Sequence, residues 1–545
     1  MRVLLEVMGV IIGIIIAWGI FFVYMSMPFE RRIRLTAQEG CVFACFAGAA
    51  FLCVIVSLHH RKQRLKTASP ARTPPQAATG FLDVALMTLT PSDCYRGRDF
   101  LAGGVCIMGK TGSGKTSSSG YQLGRALVSA RTGGLILGSK PSDPQFWKGI
   151  FAAAGRSEDL LVFESGGQLT FDPIDFEMQH GADAHEITRY LLTIDETMAR
   201  GQGGHGASNE KFWEGGKKRV TYNSVITAKL ATGKVTVPDL VAFLNDAATN
   251  PAQLGDEAWR KGIHCQFLKR AMETNKSQAD EHDYNQAFEF FTKEWIMMDA
   301  KVRASIMVDV MNTLHTLNSG EIRLLLSSSS NVSPAMMDQG KWILVNMPAH
   351  EKGAGGIAVN AAWKYSTQRH VLRRSGGTIP IIIWSDEYQN VANSFDAAYL
   401  GEARSHLSAM VILTQGLNSL FSAMKDGQGH HEAKALLSHF GLKVFHALGD
   451  SETATFASSL VGKAVTMRGG YSNRSGDKMQ QMMGGGGITH SANEHMEEIL
   501  QSNAFMHGLR CGGPPDCMAD AIIVKAGEPF AATGGNYLKV AFSQR

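Results

Sequence analysis

The spacing of apolar and polar positions divides this chain into regions of different character. Two uncharged apolar stretches, Met8 to Met25 and Cys41 to Leu58, come first, each about long enough to cross the hydrocarbon core of a bilayer. A short polar loop from Ser26 to Gln38 separates them, and the cluster His59-His60-Arg61-Lys62-Gln63-Arg64-Leu65-Lys66 follows, as in segments retained on the cytoplasmic side. A cleaved signal peptide fits less well: Arg2 is the one basic residue ahead of the first stretch, no A-x-A site follows, and a second span comes directly. Residues 1–66 therefore read as a transmembrane hairpin with its basic flank. Residues 67–80, with Pro70, Pro74 and Pro75 among small polar residues, read as a linker.

From Phe81 the pattern becomes α/β. Leu135-Ile136-Leu137 and Leu160-Leu161-Val162-Phe163 are the short apolar runs of buried parallel strands, and Lys140 follows the first of them, where α/β sheets place their sites. Residues 81–180 form the first part of this domain. Over 181–325 helical spacing takes over, in His185–Ala199, Glu210–Ala231 and Asp283–Leu317, which predicts an all-α insertion whose aromatics Phe212, Trp213, Phe288, Phe290 and Phe291 belong to its core. The α/β pattern resumes over 326–545, with Trp342–Met347, Ile379–Glu387 and Val411–Gln415 as strands. Residues 469–493, with four consecutive glycines at 484–487, read as a mobile loop.

Composition adds limits. With 53 basic and 49 acidic residues the net charge is only +4, so any nucleic-acid contact must come from local patches or a pore lining. The eight cysteines are scattered, and no C-x-x-C pair or neighbouring histidine frames a zinc site; reduced thiols fit better than a disulfide scaffold.

The chemistry is concentrated in Gly109-Lys110-Thr111-Gly112-Ser113-Gly114-Lys115-Thr116, which fits the P-loop pattern and lies between an apolar run (Val105–Met108) and a helix-compatible segment from about Ser117 to Ala130. Glycines let backbone N–H groups turn inward on phosphates, and the helix N-terminus favours anions. Lys115 would reach the β- and γ-phosphates of a nucleoside triphosphate and Thr116 would hold Mg²⁺. Downstream, an apolar strand ends in Asp386-Glu387: the first carboxylate suits the Mg²⁺ shell, the second can orient or deprotonate attacking water. Gln415, at the end of another apolar strand, is either a γ-phosphate sensor or a satisfied strand-end amide. Arg404 is either an arginine finger across a subunit boundary or a surface helix arginine.

Over nearly its whole length the chain resembles the type IV secretion coupling proteins, the VirD4/TraD/TrwB-like family of conjugation ATPases. The residues that carry the resemblance are the apolar hairpin, the P-loop at 109–116, the helical insertion, Asp386-Glu387 and the Arg404…Gln415 pattern, with smaller echoes at Lys140, Phe212-Trp213 and Ser333-Pro334. The resemblance implies an α/β, RecA-like P-loop ATPase domain with an inserted all-α domain and a two-helix membrane hairpin. It also implies a homohexamer in the bacterial inner membrane, its motor domain cytoplasmic, that uses ATP and Mg²⁺. Such motors deliver single-stranded DNA with its relaxase, or effector proteins, to secretion-channel components. In the family ATP lies between subunits, so Arg404 would act on a neighbour's nucleotide. Trp384-Ser385 is more polar than the family's plain aliphatic run, and the chain has no long acidic C-terminal tail.

Two alternatives use the same motifs. An FtsK/HerA-type DNA pump shares the nucleotide core, but no convincing basic helix-turn-helix follows Gln415. A membrane-tethered scaffold switched by ATP would need no turnover; the intact Lys115, Thr116, Asp386 and Glu387 argue against a dead site.

Overall fold

The computed structural model describes residues 76–201, 210–424, 429–473 and 488–544. The apolar hairpin expected over 1–66 lies outside the described residues, and among the described residues no helix is long and apolar enough to cross a membrane. The last part of the expected linker is helical, in a segment running Gln76–Asp83.

The described residues form strands β1 (Ala85–Thr88), β2 (Cys94–Arg96), β3 (Val105–Met108), β4 (Gly133–Leu137), β5 (Leu160–Glu164), β6 (Trp342–Asn346) and β7 (Ile381–Ser385). They continue with β8 (Ser408–Thr414), β9 (Leu442–Phe445), β10 (Lys463–Asn473), β11 (Ile488–Glu498), β12 (Met518–Lys525) and β13 (Tyr537–Ser543). Nine of these build one sheet in the order β13-β12-β9-β3-β8-β7-β4-β6-β5. From β9 to β5 every pairing is parallel, while β12 and β13 run antiparallel at one side. Helices cover both faces, so strands such as Val105–Met108 and Ile381–Ser385 are buried along their whole length.

Trp384, the polar departure in the β7 run, has a packing reason. It is 2% exposed and meets Trp147 edge-on at 5.2 Å, and Trp147 in turn stacks on Trp342 of β6 at 6.1 Å. Gly134 on β4, between β6 and β7, makes room: a Cβ there would lie 2.8 Å from the Trp342 ring. Burying aromatic rings of this size contributes about 1.5–3 kcal/mol each, which outweighs the indole's polarity.

Between β5 and β6 the described residues form helices and connecting loops with no strand, the long helices being Ala184–Gly201, Glu210–Thr232 and Ala300–Leu317. Phe290 and Phe291 are buried and Trp213 is partly so, but Phe212 is 60% and Phe288 40% exposed. The expectation that all five aromatics are core is thus corrected. Successive positions on a helix point about 100° apart, so helical phase turns Phe212 and Phe288 outward while Phe290 and Phe291 face the core.

The expected mobile loop over 469–493 is also corrected at its flanks. β10 and β11 pair antiparallel from Lys463↔Glu498 to Asn473↔Ile488, as a ribbon separate from the main sheet.

Candidate active site

A parallel sheet delivers the ends of its strands to one edge, and this is where the candidate residues meet. The P-loop follows β3, Lys140 follows β4, Asp386 follows β7, Gln415 follows β8 and His446 follows β9. β8 separates β3 from β7, which sets the P-loop and the carboxylates about 10 Å apart across two strand spacings. Side chains then close the gap.

The P-loop is tied to the strand ends on both sides. Gly109 N donates to Thr414 O at 3.3 Å and Lys110 N to Ala447 O at 2.9 Å. Gly112 and Gly114 adopt φ of +75° and +86°, a region costly for other residues. Gly114 is also crowded: a Cβ would stand 2.9 Å from Ala519 Cβ and 3.0 Å from Cys511 O. The loop runs into a wide turn, Thr116–Gly120, and then the α-helix Tyr121–Ser129. Lys110, Thr111 and Gly112 are exposed, whereas Ser113 and Lys115 are buried.

Lys115 Nζ donates to Gly109 O at 2.6 Å and to Lys110 O at 3.3 Å, so the loop's own carbonyls hold it. Burial pushes its ammonium below the ordinary lysine range, with Lys140 adding to the effect and Glu387 and Asp386 opposing it. The Thr116 hydroxyl donates to Asp386 Oδ2 at 3.3 Å. Lys140 Nζ reaches the same oxygen at 3.4 Å. Burial opposes the Lys140 charge, but Asp386, Asp143 and Glu387 outweigh it and hold its pKa above the usual value.

Glu387 takes a left-handed backbone, φ +49° and ψ +51°, uncommon for a residue with a side chain. Its carboxylate accepts from Gln389 Nε2 at 2.5 Å and from Gln415 Nε2 at 3.3 Å. Gln389 is itself fixed, accepting from the Thr414 hydroxyl at 3.0 Å. The amide of Gln415 is therefore one strand over from Asp386 and bonded to Glu387. Sequence reasoning did not single out Gln389, whose only signal is its place two residues beyond Glu387.

His446 was also missed. Its ring Nε2 lies 2.8 Å from Ser119 Oγ, and its backbone N donates to Met108 O at 2.8 Å. Burial lowers its pKa to about 4, and Lys115 acts in the same direction, so the imidazole is neutral near pH 7. Gln544, near the end of the chain, donates to Ser117 Oγ at 2.7 Å and accepts from Gly513 N at 2.6 Å. The one signal in the sequence for either residue is its place just beyond an apolar run, β9 for His446 and β13 for Gln544.

Arg404 is not brought to this cluster. It sits in the turn Arg404–His406 ahead of β8, at the opposite edge of the sheet, about 20 Å from Gln415 by the length of the strand. Its side chain is exposed and has no ion-pair partner among the described residues.

The donor set suits a magnesium–phosphate ligand. Thr116 and Asp386 offer hard oxygens beside each other, as Mg²⁺ requires, and Lys115, Lys140 and the P-loop amides supply positive potential. The hydroxyls of Ser113, Ser139 and Ser385, in the P-loop and at the ends of β4 and β7, are buried without a hydrogen-bond partner. Orphaned polar groups of this kind at one sheet edge fit a polar ligand.

No protein-family model and no curated protein matches the chain. Solved structures do. The bacterial conjugative coupling protein TrwBdeltaN70 in complex with sulphate aligns with a TM-score of 0.53 at 14% identity, over 84% of this chain and 90% of its own. TrwB with the non-hydrolysable ATP analogue ADPNP gives 0.53 at 12% identity, over 87% and 94%. TrwB with ADP and Mg²⁺ gives 0.52 at 13% identity, over 87% and 92%. At such identities the likeness speaks for the architecture: this chain has the α/β fold of the conjugative coupling protein TrwB.

Proposed function

We propose that the chain is an ATP-hydrolysing motor of the conjugative coupling type, anchored in the bacterial inner membrane by residues 1–66. The observation that carries this reading is the convergence of Lys115, Thr116, Asp386, Glu387 and Gln415 on one sheet edge in a TrwB-like fold. ATP and Mg²⁺ are its cofactors by analogy with the ligands of TrwB.

Each residue then has a task. Lys115 leaves the carbonyls of Gly109 and Lys110 for the β- and γ-phosphates, a short move for a flexible side chain. Thr116 and Asp386 hold Mg²⁺, which supplies charge neutralisation at the phosphates. Lys140, paired with Asp386, limits the local negative charge before nucleotide arrives. Glu387 orients or deprotonates the attacking water, and Gln415 and Gln389 fix its carboxylate. Arg404, too far from its own chain's site, acts on the nucleotide of a neighbouring subunit in a homohexamer. The cargo is single-stranded DNA with its relaxase, or effector proteins, passed to the secretion channel.

Nucleotide binding tests the site directly. Full-length protein in detergent should bind a fluorescent ATP analogue in Mg²⁺, and Lys115→Ala should lose this binding. Equal binding by both proteins would remove the P-loop from the account.

A further inference from the structure

Asp195 and Glu196 are adjacent carboxylates near the end of the helix Ala184–Gly201, and they grip different parts of the molecule. Asp195 faces the helical insertion. It accepts from Lys217 Nζ at 2.7 Å and from the Thr313 hydroxyl at 2.6 Å, so it joins the helices Glu210–Thr232 and Ala300–Leu317. Glu196 faces the segment that leaves Glu387. It accepts from Ser394 N at 3.0 Å and Ser394 Oγ at 2.9 Å, and Arg200 braces it at 2.7 Å. Two neighbouring contacts join the same helix to this segment: Asn393 Nδ2 lies 3.4 Å from Thr197 Oγ1, and a Cβ on Gly201 would stand 2.9 Å from Asn390 O.

Between Glu387 and Ser394 the segment has little freedom. Tyr388 is fully buried and its hydroxyl donates to Asp396 Oδ2 at 2.6 Å. Asp396 also accepts from Lys364 Nζ at 2.7 Å, from Gln368 Nε2 at 2.7 Å and from Asn393 N at 3.1 Å. Lys364 and Asp396 are both wholly inaccessible to solvent, and Lys364 Nζ donates as well to Val391 O. Breaking either partner of such a pair strands a buried charge, so the cluster holds its shape. A displacement imposed at Ser394 is therefore passed along a stiff path rather than absorbed by it, and the residue at its other end is Glu387 in its left-handed conformation.

We propose that Asp195 and Glu196, with the Tyr388–Asp396 segment, are the mechanical link through which the helical insertion sets the position of Glu387. Ser394, Glu196 and Asp195 are positioning residues; none touches the reacting atoms. The link rests on Glu387 serving the hydrolysis proposed above. It gives the insertion a route to the catalytic carboxylate that avoids the P-loop.

Amide hydrogen exchange on the full-length protein without nucleotide tests the link. Lys217→Met and Thr313→Val each remove one partner of Asp195 at nearly constant volume. Both should speed exchange over 388–396, at Ser394 on the order of tenfold, as expected for weakening one charge-assisted hydrogen bond. Exchange over 118–129, in the helix after the P-loop, should stay unchanged. The same variants should lower kcat about three- to tenfold with KM unaltered. Unchanged exchange over 388–396 in both variants would overturn the link, as would a general acceleration throughout the chain or a raised KM at constant kcat. Exchange is read without turnover, so a protein that failed to hydrolyse ATP would sink the proposed function and leave this result standing.

Discussion

Thr116 and Asp386 are 270 positions apart in the chain, yet the hydroxyl of one donates to the carboxylate of the other at 3.3 Å. Two apolar strands, β3 and β7, with β8 between them, produce this approach by ending at the same edge of a parallel sheet. The pair offers adjacent oxygen donors beside the glycine-rich loop 109–116, whose sequence fits the P-loop pattern.

Glu387 is bonded to two amides and stands next to, not within, that donor pair. Glu387→Gln keeps the volume and the hydrogen bonding but removes the base. ATP binding should remain within a few-fold of wild type, while single-turnover hydrolysis falls by about 10²–10⁴. Hydrolysis at the wild-type rate would assign water activation to another group.

Arg404 sits at the far edge of the sheet from its own chain's P-loop. A role in hydrolysis therefore requires a second subunit. Arg404→Ala and Lys115→Ala should each be inactive alone, and mixing them should restore part of the activity where an intact Arg404 meets an intact Lys115. No recovery at any mixing ratio would leave Arg404 as a surface residue.

His446 carries a pH dependence with a definite sign. Its pKa is about 4 in the folded chain, against about 6.5 when unfolded, so below pH 6.5 the unfolded state binds the extra proton. Its contribution is fully present above pH 6.5 and is lost as pH falls towards 4, a total on the order of 3 kcal/mol. His446→Gln retains a partner for Ser119 without titrating. The melting-temperature gap between wild type and this variant should narrow from pH 7.5 to pH 5. A constant gap would mean that the imidazole is not held neutral by the fold. His264 is displaced to about 4 as well, and serves as the unaltered background in both proteins.

Much of this architecture is legible in the residues. The P-loop is readable because phosphate binding imposes glycines and a lysine at fixed spacing, and β3, β4, β7 and β8 because doubly covered strands are apolar without interruption. Lys140 could be placed at a strand end, but its bond to Asp386 could not, since that depends on β4 and β7 being neighbours in space. His446 and Gln389 were hidden for the same reason: single polar residues beyond a strand acquire a role only through strand order. Phe212 and Phe288 misled because aromatic identity suggests burial while helical phase decides it. In the ribbon of β10 and β11 the glycine run overshadowed the extended segments beside it.

On the proposed function, the cluster around Lys115 and Asp386 turns over ATP in the service of a DNA-coupled motor. The direct measurement is steady-state ATP hydrolysis by the full-length, detergent-solubilised protein, with and without single-stranded DNA, alongside Lys115→Ala. Hydrolysis should rise several-fold with DNA and disappear in the variant. Turnover unaffected by DNA, or undiminished by Lys115→Ala, would contradict it.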